Sequence, residues 1–186
     1  MRIIAGEYRS RKIETRAGNQ TRPTLDKVRE AVFSSLGGMF DGGTVLDLYA
    51  GSGANGLEAL SRGYDYAVFA DISKDAINVI RKNIESLRCK EKTKVLHMPD
   101  KKALSLLKTE GICFDLVYLD PPYAGQRNND ILEYLQENNM ITDHGVVVIE
   151  SAKEDAFKKE FGSLKPYKEA TYGITRITYY RNEVEG

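Results

Sequence analysis

The chain of 186 residues has no net charge, only two cysteines, only two histidines, and no long apolar run. Each shortage excludes something. A membrane-spanning helix needs about 20 consecutive apolar residues, and no stretch approaches that length. The opening MRIIAGEYRSR has no apolar segment behind its charges, so it does not read as a secretory signal. Cys89 and Cys113 do not form a C-x-x-C pair, and two buried thiols in a reducing cytoplasm are expected. His97 lies in an apolar segment and His144 in a turn, with no third ligand at useful spacing, so no metal is expected. Repeats, low-complexity tracts and linker-like stretches are absent too. What remains is one globular domain's length of cytoplasmic protein, expected to act as a monomer.

The zero net charge hides an asymmetry. Residues 1–22 hold Arg2, Arg9, Arg11, Lys12, Arg16 and Arg22 against Glu7 and Glu14, a net +4 that the rest of the chain cancels. A basic arm on a slightly acidic body suits a local polyanion contact, although a solvated terminal hairpin has the same composition.

Loose alternation around Gly6 and Gly18 predicts short strands or a hairpin over residues 1–20. Pro23-Thr24 opens a helix with Thr24 as its cap and an apolar face of Leu25, Val28, Val32 and Leu36, stopped at Gly37-Gly38. From Thr44, strands and helices alternate. TVLDLY, YAVFAD, TKVLHM, FDLVYLD and GVVVIES read as five strands separated by helical segments, with a last helix over 153–161. Such alternation implies right-handed βαβ units and a parallel sheet covered on both faces. Two further strands over 167–181 have no helix between them, which adds one antiparallel strand. The expected fold is therefore α/β: a Rossmann-like, seven-stranded methyltransferase-type sheet with a small N-terminal extension. The extension is assigned to residues 1–36 and the catalytic domain to 37–186.

GSGANG (51–56) follows a strand and opens a helix, and Asp71 lies 20 residues past Gly51. That is a complete dinucleotide fingerprint, which a dehydrogenase would carry as well as a methyltransferase. Asp47 tilts the balance, because a carboxylate four residues before Gly51 suits a cationic amino-acid group and would repel a pyrophosphate. A structural acid capping the next helix is the plainer alternative. Asp100, after the third strand, is placed either to accept an adenine amino group or as an ordinary turn residue.

Asp120-Pro121-Pro122-Tyr123 is the sharpest signal. It stands where a strand gives way to its loop, on the edge where open α/β sheets bind ligands. Neither proline has an N–H, and each holds the preceding residue extended. The turn offers a carboxylate and carbonyls, acceptors only, which suits a primary amine. An exocyclic base amine is a poor nucleophile because its lone pair is delocalised into the ring. Accepting both N–H bonds favours a pyramidal nitrogen with its lone pair free to attack. Tyr123 offers a ring on which an extruded base can stack.

DLYAGSGANGLEALSRG, DIS and LDPPY together resemble the amino-methyltransferase superfamily. MRIIAGEYRSRKI with RPTLDKVREAVFSSL is similar, more specifically, to the bacterial family that methylates N2 of one guanine in 16S ribosomal RNA. This resemblance implies S-adenosylmethionine as cofactor, with Asp47, Ala50, Gly51, Ser52 and Gly53 around its methionine part. It implies Asp71 on the ribose, Ile72 beside the adenine and Asp100 at the adenine amine. Asp120, Pro121, Pro122 and Tyr123 would hold the guanine. Arg22, Pro23 and Thr24 would line the path to the RNA, while Arg2, Arg9, Arg11 and Lys12 grip phosphates of the small ribosomal subunit. One departure is Ser10, where the family usually has a glycine before the arginine. The competing readings are an adenine-N6 DNA methyltransferase, a glutamine-N5 protein methyltransferase, a NAD-linked oxidoreductase and a non-catalytic RNA-binding module.

Overall fold

The computed structural model describes residues 1–16, 23–122, 127–156 and 160–184. Among the described residues, seven strands run in the order β3-β2-β1-β4-β5-β7-β6. They are β1 (Thr44–Leu48), β2 (Tyr66–Asp71), β3 (Thr93–His97), β4 (Phe114–Leu119), β5 (Ile141–Ala152), β6 (Leu164–Tyr172) and β7 (Thr175–Asn182). β1, β2 and β3 pair in parallel, as do β4 and β5, whereas β7 is antiparallel to both β5 and β6. One antiparallel strand in a parallel sheet is the expected arrangement. The helices are α1 (Pro23–Ser35), α2 (Ala54–Ser61), α3 (Lys74–Leu87), α4 (Asp100–Thr109) and α5 (Asn128–Glu137). No helix among the described residues is long and apolar enough to cross a membrane.

The chain divides into two compact units, Met1–Asp100 and Lys101–Gly186. In the first, β1 and β2 are buried on both faces: Val45, Leu46 and Leu48 pair with Ala67, Val68 and Ala70, all at most 1% exposed. Continuous apolar strands of this kind need helices on both sides of the sheet. In α3, Ile77, Ile80, Ile84 and Leu87 recur at helical spacing and are buried, while Ser73 caps the helix by accepting from the Ala76 N–H. In the second unit, β4 and the centre of β5 are likewise buried, and Tyr179 and Tyr180 of β7 are almost wholly enclosed.

Three local expectations change. Described residues 153–156 form a turn instead of starting a helix, because β5 runs on to Ala152 to pair with Thr175 of β7. Helix α1 begins at Pro23, one residue before its expected cap, and Leu25 on its predicted apolar face is 44% exposed while Phe33 is buried. A proline at the first helical position loses nothing, since that N–H has no partner within the helix. Cys113 is exposed, not buried as expected; Cys89 is buried, and burial pushes its thiol pKa up to about 11.

Candidate active site

The glycine turn sits between β1 and α2, within the first unit. Its glycines have distinct tasks. Gly51 has φ +61°, and a Cβ there would meet nothing within 4 Å, so the backbone is open on that side. Gly53 has φ +82° and is the N-cap of α2, but its missing Cβ would lie 3.3 Å from the Phe69 ring and 3.4 Å from Ile80. A Cβ on Gly56 would come to 2.4 Å from Phe69, so this residue lets helix and sheet pack closely. The open space is thus at Gly51, whereas the Cβ position of Gly53 is taken up by Phe69 and Ile80.

Asp71 closes the turn from the end of β2. Its Oδ2 accepts from the Gly51 N–H at 2.9 Å and its Oδ1 from the Ser73 N–H at 2.9 Å. Both bonds leave lone pairs on a half-buried carboxylate, which is what paired ribose hydroxyls require. The next residue, Ile72, is 69% exposed, and its carbonyl is bonded to Nε2 of His97 at 3.0 Å. An apolar side chain held outward beside the acid suits the flat face of an adenine. Asp100, the first residue of α4, is buried and accepts from the Tyr49 hydroxyl at 2.7 Å. Tyr49 was not legible as a site residue. It lies at the end of β1 with φ +65°, a conformation a large side chain adopts only when its surroundings hold it there. Asp47 is 1% exposed, and its Oδ2 accepts from the Gly56 N–H at 2.9 Å, so it caps α2 from the neighbouring strand. The plainer alternative for this acid is realised, and a methionine-binding role would be added to it.

In the second unit, Leu119 ends β4 fully buried and Asp120 emerges exposed, followed by buried Pro121 and exposed Pro122. The acid therefore stands at the carboxyl end of a buried parallel strand, as expected. Tyr123 and Arg22 lie outside the described residues. Pro23 and Thr24 form the first turn of α1.

The basic arm is bound to the first unit more firmly than a solvated hairpin would be. Its backbone closes on itself through Ile3 N–H to Arg11 O (3.0 Å), Ser10 N–H to Ile3 O (2.9 Å) and Ile13 N–H to Met1 O (2.9 Å). Ser10 takes φ +67°, a left-handed conformation that glycine adopts most readily, and serine keeps the turn. Ile3, Tyr8 and Ile13 are buried. A Cβ on Gly6 would fall 1.8 Å from the Ser61 carbonyl oxygen, so only glycine lets the arm lie against α2. At the centre, fully buried Glu58 accepts from the N–H groups of Ile4 and Ala5 and from Nε of both Arg29 and Arg62. Arg29 also donates to the Arg2 carbonyl and to Asp26. Arg2, Arg9, Arg11 and Lys12 nevertheless point outward and are exposed. The result is a fixed backbone presenting four cations.

A Rossmann-like sheet with a glycine turn after β1, an acid closing that turn from β2, and an acidic proline turn after β4 is the arrangement of a methyltransferase, the activity for which full-length relatives are named. The family described as Conserved hypothetical protein 95 matches residues 1–181, and the chain belongs to it. It is 36% identical to the Bacillus subtilis protein YlbH, covering 97% of this chain and 98% of that one. It is 33% identical to the ribosomal RNA small subunit methyltransferase D of Haemophilus influenzae, covering 98% of this chain and 94% of the relative. The solved structure of Haemophilus influenzae HI0767 superposes with a TM-score of 0.81 at 31% identity, covering 99% of both chains.

Proposed function

We propose that this enzyme methylates the exocyclic N2 amine of one guanine in 16S rRNA, on the small ribosomal subunit, as a cytoplasmic monomer without a metal. The observation that carries the amine is the proline turn. Asp120 is exposed at the end of a buried strand, and the two residues after it have no N–H to give, so the site accepts and does not donate. The N2 amine offers two N–H bonds to such a site. Asp120 and the Pro121 carbonyl draw on both, which raises electron density on nitrogen as it pyramidalises. The rRNA substrate follows from the relative named for small subunit methylation and from the four exposed cations on the anchored arm.

S-adenosylmethionine supplies a methyl on a positive sulfur. Gly51 leaves the open approach for it, Asp71 takes the ribose, and Ile72 and Asp100 take the face and edge of the adenine. Asp47, Ala50, Ser52 and Gly53 frame the methionine part.

The test is to incubate the enzyme and labelled S-adenosylmethionine with unmodified small subunits and with naked 16S rRNA. Nucleosides from the digest are then identified by mass spectrometry. A single N2-methylguanine per subunit is expected. N6-methyladenine as the product would replace this reading with the adenine one, because the acceptor turn serves either amine.

A further inference from the structure

Asn83 stands apart from every residue assigned so far. It lies on α3, is 3% exposed, and uses its whole amide on two segments distant in sequence. Its Nδ2 donates to the Ser52 carbonyl at 2.9 Å and to the Glu14 carbonyl at 3.0 Å, while its Oδ1 accepts from the Glu14 N–H at 2.8 Å. Ser52 is the middle residue of the glycine turn, which is closed by Gly53 N–H to Ala50 O at 2.8 Å. Glu14 closes the anchored part of the basic arm, directly after buried Ile13. One side chain therefore fixes both the turn that faces the cofactor and the end of the arm that faces the polyanion. Arg11 adds a second tie to the same helix by donating to the Ser86 carbonyl at 2.8 Å.

We infer that Asn83 is a positioning residue that sets the glycine turn and couples it to the arm, so that cofactor and RNA strengthen each other's binding. The inference rests on reading the glycine turn as the cofactor site and the arm as an RNA contact. The half-buried Ser52 carbonyl, once it loses its donor, turns toward another partner and takes the Gly51 backbone with it. On the other side, Glu14 N–H and C=O are both satisfied by one amide. Moving the arm at Glu14 therefore releases the same amide that holds the turn. Linkage requires the effect to run equally in both directions.

The variants are Asn83→Ala and Asn83→Asp, with Ser61→Ala as the control. Asp keeps the acceptor for the Glu14 N–H but cannot donate to Ser52. Ser61 anchors the arm in a comparable way, accepting from the Tyr8 N–H at 2.9 Å and donating to the Ala5 carbonyl, without touching the turn. S-adenosylhomocysteine affinity is measured by calorimetry on the full chain, with and without purified 16S rRNA. Both Asn83 variants should weaken binding about tenfold, as expected for removing the donor of a half-buried carbonyl. Ser61→Ala should change it less than about twofold while lowering thermal stability. Saturating rRNA should raise wild-type affinity at least about fivefold, and this gain should vanish in the Asn83 variants. Equal loss in Ser61→Ala, or an unchanged affinity in Asn83→Ala, overturns the inference. Wild-type affinity indifferent to rRNA overturns the coupling, and a wild type that does not bind S-adenosylhomocysteine brings down the reading of the turn itself.

Discussion

Replacing Glu58 with alanine should loosen the arm from the body at a cost that the structure allows to be worked out. The carboxylate is fully buried and receives four donors: Arg29 Nε at 3.2 Å, Arg62 Nε at 2.8 Å, Ile4 N–H at 2.9 Å and Ala5 N–H at 3.2 Å. Each arginine is only 3% exposed, so neither guanidinium can recover its hydration. Arg62 keeps a bond to the Gly38 carbonyl and a place over the Phe33 ring, and Arg29 keeps Asp26. Breaking a buried pair by removing one partner costs about 3–5 kcal/mol, because the surviving charge stays buried. With a urea m-value of about 2 kcal/mol/M, the unfolding midpoint should fall by about 2 M. Glu58→Gln should lie between, since one amide oxygen still accepts but its NH2 faces donors. Exchanging Glu58, Arg29 and Arg62 together for apolar residues of similar size should recover most of the loss. Equilibrium unfolding in urea and amide exchange at Ile4 and Ala5 give the two readouts. A midpoint for Glu58→Ala within about 0.5 M of wild type would refute the view that this carboxylate holds the arm.

Further outcomes follow from the same geometry. Gly51→Asn, a residue that tolerates φ +61°, should weaken S-adenosylhomocysteine binding with little loss of fold, whereas Gly56→Ala, whose Cβ would crowd Phe69 at 2.4 Å, should cost about 1–3 kcal/mol of stability; calorimetry and thermal melts separate the two. Asp120→Ala should retain cofactor affinity and lose kcat by about a hundredfold, because its bond strengthens as the amine pyramidalises; a raised KM with normal kcat would make Asp120 an anchor only. Changing Arg9, Arg11 and Lys12 together to glutamine should lower the slope of log affinity for rRNA against log salt by about 2 to 3, and an unchanged slope removes the arm from the interface. Deleting the arm outright is a poor substitute, since it would strip buried Ile3, Tyr8 and Ile13 from the first unit. Burial raises Tyr8 from 10.0 to about 12 and Cys89 from 9.0 to about 11, and the charge of Cys89 adds to the rise at Tyr8. Their folded pKa values exceed the unfolded ones, so their stability is complete below about pH 9 and is lost as pH rises toward 12. Melts between pH 8 and 12 should show this decline, and Tyr8→Phe with Cys89→Ala should flatten it.

The sequence by itself determined the sheet, the glycine turn and the acidic proline turn, because these rest on local rules. Continuous apolar strands, glycines at turns and prolines after a strand constrain only their neighbours, so Asp71 and Asp120 could be placed by counting. Asp47 was legible as an acid that either faces a cofactor or caps the next helix, and the bond from Gly56 N–H that realises the cap depends on how α2 folds back over β1. The division of labour among the glycines was also hidden, because the task of Gly53 and Gly56 is set by Phe69, more than ten residues away. The charges of the arm could be counted, yet composition alone left it equally a solvated hairpin. That its backbone is clamped by Glu58, Arg29 and Arg62, charged residues in or next to α1 and α2 whose pairing no local pattern announces, emerged from the folded chain alone. Tyr49, His97 and Asn83 were silent for the same reason. Their partners, Asp100, the Ile72 carbonyl and the carbonyls of Ser52 and Glu14, lie 25 to 69 residues away, and no periodicity records a hydrogen bond that closes so long a loop.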